Sequence, residues 1–222
     1  MEQTQLYLIR HGQTDWNKEG RWQGQLNSQL TPLGVEQAKA VANRLEPIPF
    51  TALYSSDLDR TMDTAKAIAT QTGHEIIPDE RLRERAGGVM EGRTSDEAKE
   101  AFPEFFTPDV DRWAVDFAYP GGESTVTLLE RADKVLTEIA QRHSGERVMI
   151  VSHGAFLGTF LRELLEMPIT SFRFRMSNCG LSIVSYRKND SSSSADRSPW
   201  MVNTLNETGY LFGIEAAMGE AE

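Results

Sequence analysis

The chain has 222 residues, of which 39% are apolar, enough for one sizeable core but few for two, so we expect a single domain over residues 1–222. A formal net charge of −10 argues against binding to nucleic acid or an anionic membrane, and any anion site must be a local basic pocket. The only cysteine, Cys179, excludes an intrachain disulfide and disfavours a thiolate metal cluster. No apolar run has the length of a signal segment or a membrane span, so we expect a cytoplasmic protein.

The first elements alternate between strand and helix patterns. A continuous apolar run at 6–9 predicts a strand buried on both faces, which ends at the Arg-His-Gly sequence of residues 10–12. Thr31 and Pro32 predict the N-cap and first residue of an amphipathic helix. The apolar residues predicted for its buried face are Val35, Ala38, Ala42 and Leu45.

The next segment repeats this order. Residues 51–55 predict a second strand, followed by a helix that we expect to be capped by Asp57 and to end near Gly73. Residues 74–78 predict a short strand, and residues 94–97 resemble a capping box that opens a short helix.

An insertion at about 92–122 is predicted to act as a lid that determines specificity. Between residues 102 and 119 the helical periodicity fails, although long ordered loops in compact domains are often functional. Its aromatic residues either pack the irregular segment or face the substrate, and the sequence leaves both alternatives open. These residues are Phe102, Phe105, Phe106, Trp113, Phe117 and Tyr119.

The last part of the chain continues the alternation. Ser124 is predicted to cap a long helix, residues 147–152 form a second buried strand, and residues 155–166 return as a helix. Late strands are expected at 181–186 and 200–205. Residues 189–222 are predicted to hold a flexible loop with a serine tract at 191–194, the last strand and a tail.

This order of elements predicts the fold class. Strands alternating with helices indicate an α/β fold, a three-layer α/β/α arrangement with a largely parallel central sheet. Ligands of such sheets bind at the carboxyl ends of strands, and His11 and His153 each follow directly after a buried strand. We therefore expect the two histidines at one edge of the sheet.

The segment from Arg10 to Asn17 contains the groups of an oxyanion pocket. A guanidinium at Arg10 lies beside the His11 imidazole, and Gly12 would let the backbone approach a ligand closely. Thr14 and Asn17 add hydrogen-bond donors nearby. The ligand that these groups favour is phosphate.

Matching motifs along the chain resemble the histidine phosphatase superfamily, also called phosphoglycerate mutase-like, and in particular its phosphatase-type members. The resemblance runs from Leu6 to about Tyr186. It is carried by LYLIRHGQTDWN, RWQG at 21–24, LTPLGVEQA at 30–38, YSSDLDRTMDTA at 54–65, LRER at 82–85, PGGES at 120–124 and VSHG at 151–154.

The resemblance implies a role for each matching residue. It implies that His11 is the nucleophile and Glu84 the general acid and base. It implies that phosphate is clamped by three further groups: Arg10, Arg60 and a protonated His153. Further ligand contacts are implied for Thr14, Asn17, Gln23, Gly24 and Gly154.

This chemistry is consistent without a cofactor or a metal. Phosphoryl transfer places charge on the equatorial oxygens, which fixed arginines and a protonated histidine can stabilise. A neutral His11 can attack phosphorus directly if its other ring nitrogen donates to a backbone carbonyl. One carboxylate can then protonate the leaving alkoxide and afterwards deprotonate water.

Some of these residues also have ordinary structural interpretations. Arg60 lies in a predicted helix, where it could pair with Asp57 or Asp63 on the surface. Glu84 belongs to a charged run at 79–85 that would by default be a solvated face. Two other histidines, His74 and His143, have no partner motif and are interpreted as structural or surface residues.

Two other classes of protein compete with an enzyme of this superfamily. A metallohydrolase could use His11 and His153 as ligands, but the neighbouring arginines would repel a divalent cation, and no HExxH spacing is present. A non-catalytic phosphate-binding module would be expected to lack the nucleophile or the acid, whereas His11 and Glu84 are both present.

The nearest alternative, a cofactor-dependent phosphoglycerate mutase, shares the Glu84-Arg85 pair. The mutase pattern continues with His-Tyr-Gly, where this chain has Ala-Gly-Gly at 86–88, and no adjacent arginine pair follows. Arg85, Lys99 and Arg112 are further cations, but they stand apart in an acidic stretch. We therefore expect a phosphatase of small phosphorylated metabolites; the substrate and a homodimeric state stay open.

Overall fold

The computed structural model describes residues 3–167, 175–187 and 198–214, and its described strands form one six-stranded sheet in the order β3-β2-β4-β1-β5-β6. The neighbouring pairs among the first four strands are parallel, and β5 and β6 join antiparallel beyond β1. The strands are β1 Gln3–Arg10, β2 Ala52–Ser55, β3 Ile76–Pro78, β4 Arg147–Ser152, β5 Leu181–Arg187 and β6 Trp200–Glu207. The largely parallel α/β sheet is confirmed.

The helices connect these strands in the predicted order. They are α1 Asp15–Glu19, α2 Pro32–Leu45, α3 Asp59–Thr72, α4 Ser95–Ala101, α5 Thr125–Arg142 and α6 Gly154–Leu164. The predicted caps Thr31, Thr94 and Ser124 each accept a hydrogen bond from a backbone N–H in the first turn of their helix. These side chains satisfy N–H groups that have no partner inside the helix.

Two predictions about the helices are wrong. Asp57 does not cap α3, because the N-cap is Leu58 without a side-chain bond, and the Asp57 carboxylate instead pairs with Arg83 at 2.5 Å. Val35 is 41% exposed, whereas Ala38, Ala42 and Leu45 on the same helix are buried. Tertiary packing decides that Asp57 pairs with Arg83 and that Val35 lies at the exposed edge of the apolar face of α2. The spacing of residues along a helix does not contain this information.

The two faces of the sheet are covered by different helices. Leu6 and Leu8 of β1 pack in a core cluster with residues of α5 and α6. Tyr7 and Ile9 point the opposite way, into a cluster with residues of α2 and α3. Because alternate residues of a strand face opposite sides, the continuous apolar run at 6–9 fills both cores and produces the three layers.

The segment predicted as a lid packs on a small aromatic cluster of its own. Met90, Ala98 and Tyr119 are its buried members, and partly buried side chains surround them: Val89, Phe102, Phe105, Phe106 and Phe117. The predicted serine tract at 191–194 lies outside the described residues. No helix in the described ranges is long and apolar enough to cross a membrane.

Candidate active site

The two predicted histidines meet at the carboxyl edge of the parallel strands. His11 follows β1 and His153 follows β4, and these strands are neighbours in the sheet. Their ring centroids lie 5.3 Å apart with an interplanar angle of 61°. Both side chains are buried, at 2% and 0% exposure. A buried polar site therefore lies at the carboxyl ends of β1 and β4.

Backbone geometry orients the His11 ring. Its Nδ1 lies 2.7 Å from the Gly12 carbonyl oxygen, and since a carbonyl can only accept, Nδ1 is the protonated nitrogen and Nε2 keeps its lone pair. Burial, together with the positive charges of Arg10 and Arg60, holds the pKa of His11 well below its ordinary value. The ring is therefore neutral at pH 7, as a nucleophile requires.

The loop that carries His11 is fixed by side chains from two other elements. The Gly12 N–H donates to the Thr64 hydroxyl of α3 at 3.0 Å, and that hydroxyl donates to the Arg60 carbonyl at 2.8 Å. The Asn178 amide donates to the His11 carbonyl at 3.0 Å. A Cβ on Gly12 would lie 2.5 Å from the Gly34 carbonyl oxygen. The close approach of these two backbone segments therefore requires glycine here.

The two arginines are buried and anchored by carbonyls rather than by carboxylates. Arg10 Nη1 donates to the Met176 carbonyl at 2.6 Å. Arg60 is 1% exposed and donates to the carbonyls of Leu26 and Gly24, each at 2.7 Å. Burial lowers the pKa of each guanidinium to about 10, so both remain cations at pH 7.

The surface ion-pair interpretation of Arg60 is wrong. Asp57 pairs with Arg83, and Asp63 pairs with Lys66 at 2.7 Å. Arg60 instead points inward from the first turn of α3, where it contributes positive charge beside both histidines.

The expectation that His153 is protonated does not hold in this structure. Burial and the charge of Arg60 hold the pKa of His153 well below its ordinary value. Its Nε2 lies 2.9 Å from the Ser56 hydroxyl. His153 is therefore a neutral ring before phosphate binds, and the fixed positive charge of the pocket comes from the arginines.

Several buried polar atoms around these rings have no hydrogen-bond partner among the described residues. They are Arg10 Nε, Gln23 Oε1, Arg60 Nε and His153 Nδ1, and all four belong to residues predicted for the site. A buried polar atom without a partner costs about 1–3 kcal/mol. A bound oxyanion would satisfy the donors among them, which makes this the part of the molecule prepared for an anion.

Glu84 is turned away from the charged run in which it lies. Its carboxylate accepts the backbone N–H groups of Arg85 at 2.9 Å, Phe156 at 2.9 Å and Ala155 at 3.0 Å. The last two belong to the first turn of α6, directly after His153. The negative charge also acts on Arg10 and Arg60, so the default solvated-face interpretation is wrong for this residue.

The remaining predicted contacts divide into two groups. Thr14 and Asn17 form the capping box of α1 and bond to each other, so they shape the loop. Gly24 supplies a carbonyl to Arg60. Gly154 begins α6, and a Cβ there would lie 3.2 Å from Arg10 Nε, so a side chain at this position would crowd the arginine.

A cavity of 770 Å³ opens beside Arg10 and Glu84. Its lining has five arginines against two carboxylates: Arg10, Arg85, Arg112, Arg162 and Arg175 against Glu84 and Asp111. The expectation that the further cations stand apart is thus wrong for Arg85 and Arg112, which line the same cavity. Lys99 does stand apart, paired with Asp96 on α4 at 3.1 Å.

The sequence did not reveal several residues that hold the site together. Ser56 and Thr64 lie inside the motif YSSDLDRTMDTA, where their polar side chains within an otherwise buried strand-helix unit were a usable signal. Asn178 and Arg175 precede β5 without any motif. Arg162 is an ordinary basic residue near a helix end, and only the course of α6 places it in the cavity.

Comparison with known proteins agrees with this geometry. The family model of the histidine phosphatase superfamily (branch 1) matches residues 6–195. The chain belongs to this superfamily. A relative named probable phosphoglycerate mutase GpmB, from Escherichia fergusonii, is 38% identical over 208 residues, which are 93% of this chain and 94% of the relative.

Solved structures of the superfamily have the same fold. YhfR of Bacillus stearothermophilus is 31% identical with a TM-score of 0.80, covering 94% of this chain and 99% of that one. A mycobacterial glucosyl-3-phosphoglycerate phosphatase is 29% identical with a TM-score of 0.78, covering 93% and 100%. The chain is therefore an enzyme of the histidine phosphatase superfamily, and its similar proteins include both phosphatases and a mutase by name.

Proposed function

We propose that this superfamily member hydrolyses small phosphomonoesters through a phosphohistidine on His11, without a metal or cofactor. The observation that carries the proposal is the orientation of His11: Nδ1 donates to the Gly12 carbonyl at 2.7 Å, which leaves the Nε2 lone pair beside two buried guanidiniums. This arrangement supports a mechanism in which the nucleophile and the groups that bind the oxyanion are in position before substrate arrives.

In the proposed first step, His11 Nε2 attacks phosphorus and the ester oxygen leaves. Arg10 and Arg60 stabilise the equatorial oxygens with their Nε–H groups, for which the described residues supply no partner, and His153 Nδ1 adds a contact once phosphate lies in the pocket. Arginine suits this position because its planar fork can bind two oxygens.

Glu84 is proposed to donate the proton that the leaving alkoxide needs and then to take one from the water that attacks the phosphohistidine. Backbone N–H groups at the start of α6 hold its carboxylate in the cavity wall next to Arg10. The phosphoryl group is then released as inorganic phosphate and His11 is regenerated.

A second candidate function is phosphoglycerate mutase activity. It is favoured by the name of the relative that is 38% identical and by the arginines of the cavity, since a mutase needs cations that retain a bisphosphate intermediate. Against it, Arg85 is already committed: its Nε donates to the Glu123 carbonyl at 2.7 Å and its Nη2 to the Phe117 carbonyl at 3.1 Å. Arg85 thereby holds the lid-like segment, and we favour hydrolysis.

Rapid quenching with labelled substrate tests the phosphatase proposal. We expect an acid-labile, base-stable phosphoryl group on His11, and undiminished turnover after exhaustive chelation. Label on serine or aspartate, or activity that returns only when a divalent ion is added back, would contradict the mechanism.

A ratio of two rates separates the two candidate functions. With 3-phosphoglycerate and added bisphosphoglycerate, hydrolysis is expected to exceed interconversion of the monophosphoglycerates. Interconversion at least tenfold faster than hydrolysis, a difference of about 1.4 kcal/mol in barrier height, would make the protein a mutase.

A further inference from the structure

The cavity beside the phosphate pocket extends along helix α6. Five residues on one side of this helix line it: Gly154, Ala155, Gly158, Thr159 and Arg162. Their spacing of one, three or four places them on a single helical face. We call this face, with the space above it, the α6 trough.

The trough has two chemically different ends. At the start of α6, Gly154 lies against Arg10, so this end is the phosphate pocket. Arg162 follows eight residues later, which corresponds to about 12 Å along the helix axis. Between them, the lining residues Ala155, Gly158 and Thr159 have small side chains, which leave the floor of the trough open.

The space is larger than a phosphate group needs. A cavity of 770 Å³ corresponds to roughly 25 water molecules at the ~30 Å³ that each occupies in the liquid. The lid-like segment also lines the cavity, with Trp113 and Tyr119 among the lining residues. The cavity is thus built for a phosphomonoester with an extended body.

The charge of the lining points to a second anion on that body. In a chain with a formal net charge of −10, five arginines face two carboxylates in this cavity. Arg10 is used by the phosphate in the proposed function. Arg162 is the cation placed on the trough floor itself, two helical turns from the phosphate pocket.

Resting on the proposed function, we infer that the preferred substrates are elongated phosphomonoesters whose far end carries an anionic group that Arg162 binds. The distance between the two ends disfavours short phosphorylated acids, in which the carboxylate lies only a few bonds from phosphorus. Arg162 is a specificity-determining residue, and the trough length selects the spacing between the two anions.

A set of three synthetic substrates tests this inference. The set consists of hexyl phosphate, 6-(phosphonooxy)hexanoate and 3-(phosphonooxy)propanoate, which vary the far-end charge and the length separately. We expect kcat/KM for the long carboxylate to exceed both others by about tenfold or more. Equal values for the long carboxylate and hexyl phosphate would overturn the inference.

Variants locate the preference on the trough. Arg162→Gln is expected to reduce the ratio between the long carboxylate and hexyl phosphate to about twofold or less, and Arg162→Lys to retain part of it. Arg142→Gln removes the same charge from an exposed position on α5, outside the cavity, and should leave the ratio unchanged. A ratio that survives in Arg162→Gln would overturn the assignment.

A second variant keeps the test independent of Arg162. Thr159→Phe places a ring on the trough floor between the two ends, and it should lower kcat/KM for both six-carbon substrates relative to the short acid. An unchanged ratio would show that substrates do not use the trough. Failure of the proposed function has a different signature, because p-nitrophenyl phosphate would then be neither hydrolysed nor able to label His11.

Discussion

The phosphate pocket and the lid-like segment at 102–119 are built in contrasting ways. In the pocket, His11, Arg60 and His153 are exposed by only 2%, 1% and 0%, and each is held by a hydrogen bond to the backbone or to a buried hydroxyl. In the lid-like segment, Trp113 is 58% exposed although it lines the cavity beside Arg10. The residues proposed to react lie on buried elements, whereas the lid-like segment contributes a largely exposed ring to the cavity lining.

The two regions also differ in what holds them. The pocket depends on directional polar bonds from β1, α3 and α6, which fail if a partner is removed. The segment at 102–119 depends on edge-to-face aromatic contacts, such as Phe117 with Tyr119 at 4.9 Å between ring centroids, and on Arg85, which donates to the Phe117 carbonyl. Aromatic packing tolerates substitution better than a buried polar network, so the segment is the part that can change between relatives without loss of the chemistry.

The largest expected effect is at the nucleophile. His11→Ala should lower kcat by about 10⁴-fold or more, because the proposed covalent intermediate forms on this ring. The unfolding midpoint should change little, since the variant also removes a buried polar ring. Initial rates and thermal unfolding measure the two effects; retention of a tenth of the activity would mean that the buried pocket is not where phosphate reacts.

A smaller but more selective effect is expected at Glu84. Glu84→Gln keeps the shape and its hydrogen bonds to α6 in part, but removes the proton donor. Turnover of an alkyl phosphate should fall by about 10²-fold, and that of p-nitrophenyl phosphate by much less, because its leaving group needs little protonation. Equal losses on both substrates would assign Glu84 to positioning of α6 rather than to proton transfer.

The buried histidines predict a dependence of stability on pH. Their pKa values are held well below the ordinary 6.5 of the unfolded chain, so below pH 6.5 the unfolded state binds protons that the native state does not. The free energy of unfolding should therefore fall as the pH drops below 6.5, by up to ~1.4 kcal/mol per pH unit for each histidine. Above pH 6.5 this contribution is constant.

Urea unfolding at pH 7.5 and 5.5 measures this slope. His11→Asn and His153→Asn should each flatten it, and the double variant should flatten it further. A slope that is identical in all four proteins would show that the pocket is hydrated enough for the rings to titrate normally, which would remove the contrast with the lid-like segment.

Much of this contrast was accessible from the sequence. Apolar runs that end in His-Gly at 11–12 and 153–154 predicted two parallel strands and the shared edge, because both patterns are local to the chain. The tautomer of His11 followed from the need for a free lone pair. By contrast, the inward turn of Glu84, the carbonyl anchors of Arg60 and the pairing of Asp57 with Arg83 join residues distant in sequence. Charge runs do not specify which partner a side chain finds in the fold.

The aromatic residues at 102–119, for which the sequence left packing and substrate contact open, lie in two different places in the structure. Phe102, Phe105, Phe106 and Phe117 pack with Tyr119 in the local cluster, while Trp113 and Tyr119 line the cavity. Periodicity could not separate these groups, because an irregular segment has no repeating face.

The smallest expected effect is at Trp113. It tests whether the lid-like segment contributes to substrate binding but not to the chemical step. Because the ring is largely exposed, Trp113→Ala should lower the unfolding midpoint far less than Phe117→Ala, which leaves a void beside Tyr119. For hexyl phosphate we expect KM to rise about threefold with little change in kcat, since contacts made equally in the ground and transition states affect KM only. Steady-state kinetics on both variants measures KM and kcat separately.

A tenfold fall in kcat at unchanged KM would mean that the segment closes over the reacting phosphate and excludes water. The division between a rigid chemical pocket and a variable binding surface would then be wrong.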